Sequence, residues 1–164
     1  MENSPSDRER TKRFLRRAIE LARKGLEAGD GGPFGALVVK GDEIVGEGWN
    51  RVVGSNDPTA HGEIVAIREA CRRIGDFRLE GCELYTSFEP CPMCLAAAYW
   101  ARIDRVYYGL GADVAAGIGF DDRFLYEQMA VLPEKRKIPC IHVADEEAQK
   151  LLKAYAADPD RARY

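Results

Sequence analysis

The sequence predicts an α/β sandwich, one sheet held between two layers of helices, and three observations carry that reading. Five short β-like runs alternate with helical periodicity in the order α-β-β-α-β-α-β-α-β-α. Strands separated by single helices favour a largely parallel sheet covered on both faces. The exception is a pair of strands joined by Gly41-Asp42, a favoured hairpin turn. A chain of 164 residues fits one compact domain with a single core, so residues 1–164 are expected to form one domain.

Taken in order, Phe14, Leu15, Ala18, Ile19, Ala22 and Leu26 recur at steps of three and four, which predicts an amphipathic helix over 7–28. Gly29-Asp30-Gly31-Gly32-Pro33 breaks it, and runs from Gly35 and from Glu43 form the hairpin. Ile64, Ala66, Ile67, Ala70, Cys71 and Ile74 mark a second helix with Thr59 or Asp57 as candidate cap, placing His61 and Glu63 in its first turn. A strand over 83–88 runs into Cys91, and a helix over 93–101 starts beside Pro92, where a missing N–H is harmless. A strand at 105–109, a loop with a short helix over 119–129, a last strand over 138–143 and a helix over 145–157 complete the chain.

Composition narrows the function. With 46% apolar and 31% charged residues the chain can bury a core and stay soluble. A net charge of −3 lacks the basic excess of a nucleic-acid-binding domain and points to a small-molecule partner. The basic segment Arg8, Arg10, Lys12, Arg13, Arg16, Arg17 reads as a solvated helix face rather than a phosphate contact. No apolar run reaches the roughly 20 residues that span a bilayer, and the N-terminus lacks a signal-peptide plan, so a cytoplasmic protein with no membrane partner is expected. Cytosolic thiols stay reduced, which makes metal ligation a better use of Cys91-Pro92-Met93-Cys94 than a disulfide.

A catalytic zinc takes three protein ligands and keeps one position for water. His61, Cys91 and Cys94 supply such a set, and the two cysteines are one helical turn apart, on one side. Both segments begin helices, where the positive end of the dipole favours a bound anion and lowers thiol pKa. Glu63 lies two residues past His61, placed to lean over the open metal position as a proton carrier rather than a ligand. Zinc acidifies its water to a pKa of about 7, giving hydroxide for attack on a ring carbon that bears an amino group. Glu63 would take the water's proton and deliver protons to the ring nitrogen and the departing amine. H-x-E with P-C-x-x-C is the pattern of zinc nucleobase deaminases. A redox Cys pair would leave His61 and Glu63 idle, and a structural zinc would need a fourth ligand.

On these residues the sequence resembles the cytidine deaminase-like (CMP/dCMP deaminase) zinc superfamily, and within it the bacterial guanine deaminases. The resemblance runs through Gly32-Pro33-Phe34-Gly35, Asn50, Asp57-Pro58-Thr59-Ala60-His61-Gly62-Glu63, Ser87-Phe88-Glu89-Pro90-Cys91-Pro92-Met93-Cys94 and Tyr99-Trp100-Ala101-Arg102. Gly119-Phe120-Asp121-Asp122 and the final Tyr164 draw it toward the guanine branch. It implies a three-layer α/β/α sandwich with a mixed five-stranded sheet, one Zn2+ per subunit, and hydrolysis of guanine to xanthine and ammonia. It further implies that Asn50 hydrogen-bonds the base, Phe34 lines the pocket, the Gly62 N–H faces the substrate, and Asp122 and Tyr164 close the site on the exocyclic amine. A homodimer is implied in which a C-terminal segment, about 120–164, is exchanged so that Asp122 and Tyr164 act in trans.

Each substrate contact keeps a plainer reading beside it. Phe34 could be core, Asn50 a strand-ending turn, Asp122 a helix cap, and Tyr164 an unordered terminus. Gly62 stands where many relatives carry Ala, which leaves the range of bases open. The rival activities are deamination of tRNA adenosine, which calls for a basic groove, and of another base or nucleoside such as guanosine, cytosine or an amino-triazine.

Overall fold

Every residue from Gly35 to Val39 is buried, because this strand lies inside a sheet covered on both faces. The computed structural model describes residues 5–120 and 122–163. The chain divides into two compact units, Met1–Asp122 and Arg123–Tyr164.

In the first unit the order is α1 (Pro5–Glu27), β1 (Gly35–Lys40), β2 (Glu43–Trp49), α2 (Val52–Ser55), α3 (Gly62–Ile74), β3 (Cys82–Phe88), α4 (Pro92–Trp100), β4 (Arg105–Leu110) and α5 (Ala112–Ala116). Alternate residues of a strand face opposite ways, and β1 shows the result. Ala36 and Val38 pack with Ala66, Ala70 and Ala98 of α3 and α4. Leu37 and Val39 pack on the other face with Phe14, Ala18 and Leu21 of α1 and with Tyr85.

The helices lie almost on the strand backbone. A Cβ on Gly46 would stand 2.3 Å from the Ala66 carbonyl oxygen, one on Gly48 2.4 Å from that of Gly62, and one on Gly35 2.2 Å from that of Ala18. Small residues at these crossings fix the height of α3, and with it the place of His61 at its start.

The strand order is β2-β1-β3-β4, with β1 antiparallel to both neighbours and β3 parallel to β4. The sheet is therefore mixed, as the resemblance implies, and the opening hairpin supplies the one strand that runs against the other three. β2 and β3 do run the same way, as a strand–helix–strand crossover requires, but β1 lies between them. Helix α3 starts at His61 and not at Thr59 or Asp57. The Asp57 carboxylate instead accepts the Thr59 N–H and O–H at 2.8 and 2.7 Å, closing the turn before the helix. Helices α2 and α5 had no place in the sequence reading, since four or five residues leave no periodic trace.

In the second unit, α6 (Arg123–Ala130), a 3₁₀ turn (Pro133–Lys135) and α7 (Glu146–Ala157) follow one another. Asp145 caps α7, its carboxylate accepting the Glu147 and Ala148 N–H groups. The strand expected over 138–143 does not form, so the sheet has four strands among the described residues and not five. A strand needs a partner for its N–H and C=O groups. Here Pro139 has no N–H to offer, and Ile138, Ile141 and Val143 stay 83%, 81% and 79% exposed.

Candidate metal centre and cavity

Two helix starts meet at one point. His61 is the N-cap of α3 and Cys91 the N-cap of α4, both in extended backbone, and Cys94 lies in the first turn of α4. The His61 Nδ1 is 3.6 Å from the Cys91 Sγ and 3.5 Å from the Cys94 Sγ, and the three donor atoms all lie within 4.8 Å of one another. For a tetrahedral zinc with bonds of about 2.3 Å to sulfur and about 2.0–2.1 Å to nitrogen, the nitrogen–sulfur edge is about 3.6 Å. The spacing fits the ion. The His61 side chain makes no capping hydrogen bond to α3, so the imidazole is free of capping duty.

Both cysteines are buried beside Ile64. The hydrogen bond with Cys94, aided by that with His61, lowers Cys91 to about 4, making it a thiolate at neutral pH. The hydrogen bond with Cys91 and burial push Cys94 up, and the hydrogen bond with Cys91 raises His61. A metal ion takes the place of these shared protons. Glu63, in the first turn of α3, is only 6% exposed, and burial raises the pKa of its carboxyl group. The Thr86 hydroxyl on β3 donates toward Glu63 Oε1 at 3.5 Å.

His61, Glu63 and Cys91 line a cavity of about 280 Å³. Phe34 lines it, set edge-on to Phe88 at 5.1 Å and to Phe120 at 4.8 Å between ring centres. Asn50 is buried in the wall, its Oδ1 accepting the Val52 N–H at 3.2 Å. Asp122 lines the cavity of its own chain. Gly62 is buried beside the cavity and is not part of its lining. A Cβ there would meet the Phe34 carbonyl oxygen at 3.1 Å. Tyr164 lies outside the described residues.

The sequence reading passed over Val52, Val53, Phe88, Glu89 and Phe120, which also line the cavity. Glu89 and Phe120 sit inside the quoted motifs, where adjacency to Cys91 and to Asp122 was the available signal. Nothing in the periodicity marks the two valines of α2.

The basic segment of α1 is tied down as a helix face. Arg10 donates to Glu83 and Tyr85 at 2.7 and 2.8 Å, Arg13 to Asp42 at 3.2 Å, and Arg17 to Glu47 at 2.7 Å. The other imidazole, His142, is exposed in the second unit.

Residues 8–110 match the cytidine and deoxycytidylate deaminase zinc-binding region. The chain belongs to this deaminase family. The match spans the His61, Cys91 and Cys94 group, which fits one zinc per subunit. This deaminase is 53% identical to the guanine deaminase of Bacillus subtilis strain 168 over 130 residues, 79% of this chain and 83% of that one. The crystal structure of guanine deaminase from Bacillus subtilis superposes with a TM-score of 0.90 at 47% identity, covering 93% of this chain and 98% of that one. The tRNA-specific adenosine deaminase of Aquifex aeolicus is 46% identical over 95 residues, 58% of this chain and 62% of that one. Among the described residues no helix of the deaminase is long and apolar enough to cross a membrane.

Proposed function

We propose that this deaminase hydrolyses guanine to xanthine and ammonia. The observation that carries the reading is its 53% identity to a guanine deaminase across 79% of the chain, with a buried acid beside a three-donor metal group. His61, Cys91 and Cys94 would hold a zinc ion, whose chemistry would be to acidify a water for use as the nucleophile.

The chain's own residues do the rest. Glu63 takes a proton from the nucleophile and returns protons to the ring nitrogen and the departing amine, a task suited to a carboxyl whose proton affinity is raised by burial. Phe34 offers its face and edge to the flat base, and Asn50 its amide to a ring edge. Asp122 accepts from the exocyclic amine. The wall of Phe34, Phe88 and Phe120 favours a planar heterocycle.

The working form is a homodimer. Apolar side chains stand exposed on α4 and β4, among them Tyr99 at 74% and Trp100 at 63%, and along the second unit, as expected of surfaces that a second copy covers. In this reading the segment after Asp122 is exchanged, and Tyr164 closes the partner's site. A cytoplasmic location belongs to the same reading, since cytosolic thiols stay reduced and Cys91 and Cys94 stand ready as metal donors.

The tRNA reading rests on the 46% match to a tRNA-specific adenosine deaminase. A net charge of −3 and a cavity lined by Glu63, Glu89 and Asp122 oppose an anionic substrate. Ammonia release from guanine, adenine, cytosine, guanosine and a tRNA anticodon stem-loop tests both. Guanine is expected to be turned over fastest, and activity confined to the stem-loop overturns the choice.

A further inference from the structure

Glu89 is a cavity-lining carboxylate that no step of the proposed reaction uses. It follows the end of β3 directly and precedes Pro90 and Cys91, so the chain itself links it to the metal group. Two bonds tie it across to the next strand and helix. Its N–H donates to the Leu110 carbonyl at 2.8 Å, and its Oε2 accepts the Ala112 N–H at 3.0 Å.

Ala112 opens α5, whose N-cap is Gly111 and therefore brings no side-chain acceptor. The first N–H groups of a helix need acceptors from elsewhere, and here a distant residue provides one. α5 and the turn behind it carry Ala115, Phe120 and Asp122, all in the cavity wall. The Phe120 N–H donates back to the Ala115 carbonyl at 3.1 Å, which links the turn to the helix. Phe120 in turn meets Phe34 edge-on.

We infer that Glu89 is a positioning residue for base binding: it holds the α5–Phe120–Asp122 wall in register with the metal-bearing segment. The carboxylate stands at the rim of an aromatic cavity, where an apolar side chain would be the cheaper lining. Its service is the bond to Ala112. The substrate named here rests on the guanine reading, whereas the tie between the two segments does not.

The test compares Glu89→Ala and Glu89→Gln in the full, zinc-loaded chain. KM and kcat for guanine, zinc per chain and hydrogen exchange of the Ala112 amide are measured together. In Glu89→Ala the Ala112 amide should exchange faster and KM should rise roughly tenfold to a hundredfold, as for a displaced binding wall, with kcat falling less and zinc unchanged. Glu89→Gln keeps an oxygen for the same N–H and should restore both the protection and most of the KM.

A wild-type KM in Glu89→Ala with faster exchange would overturn the positioning role. So would a Gln variant as impaired as Ala while the Ala112 amide stays protected, since the charge would then act on the substrate directly. Loss of zinc in Glu89→Ala would also overturn it, in favour of support for the metal. If the wild type ignores guanine, the guanine reading fails separately, and the same comparison is made on the base it does turn over.

Discussion

Glu63 and Gly62 are neighbours with different kinds of work. The carboxyl of Glu63 is buried and raised in pKa, with the Thr86 hydroxyl as a neighbour. Glu63→Gln keeps the shape and removes the proton carrier. Guanine turnover should fall by about 10²–10⁴, while metal analysis finds zinc retained and the melting temperature changes little; an unaltered rate would remove Glu63 from the chemistry. Gly62 acts through its neighbour: a methyl there presses at 3.1 Å on the Phe34 carbonyl, which also accepts the Asn50 N–H at 2.8 Å. Gly62→Ala should shift stability by no more than about 1 kcal/mol, since helix propensity offsets the contact, yet raise KM for guanine by moving Phe34 and Asn50. An unchanged KM would show that the carbonyl yields without cost. The residues that form the metal group were legible in the sequence because their spacing is local to two helix starts. Phe120 and Glu89 were not, because what they touch lies on other elements.

At the level of elements, the crossing of α3 over β2 controls the site. Gly48 lies under the Gly62 carbonyl, so Gly48→Ala lifts the start of α3 and His61 with it. A loss of about 1–3 kcal/mol is expected for such overpacking, together with weaker zinc retention on dialysis. Gly41→Ala is the control. It sits at φ +61° in the hairpin turn with open space around it, so it should cost about 1–2 kcal/mol of backbone strain and leave zinc content as it was. Equal zinc loss in both variants would separate α3 height from metal binding. The long first helix was readable because Phe14, Ala18 and Ala22 repeat with helical period, and the hairpin because Gly41-Asp42 joins two β-like runs. The fifth strand was misread because Ile138, Ile141 and Val143 carry the right propensity, while pairing depends on a neighbour that no local pattern reports.

For the molecule as a whole, both sheet-covering cores are built from residues of the first unit, from Phe14 to Tyr107. In the proposed dimer the second unit serves a neighbouring copy. Mixing decides this. Glu63→Gln chains and chains lacking Tyr164 should each be nearly inactive alone. Refolded together, they should regain activity if Tyr164 closes the partner's site, since one hybrid site then has both groups. Absence of any recovery, with mixed dimers confirmed by mass, would place Tyr164 in its own chain's site. Three arginines of α1, Arg10, Arg13 and Arg17, are paired with Glu83, Asp42 and Glu47.

His61 and Cys91 occupy positions where Ser, Thr, Asp or Asn would ordinarily secure a helix end, worth about 1 kcal/mol each. By giving those positions to metal donors, the protein makes its ion a share of its own durability. Cells starved of zinc should therefore hold less of this protein as well as less of its activity, because chains emerging without the ion lack its mass-action stabilisation and are open to quality-control proteases for longer.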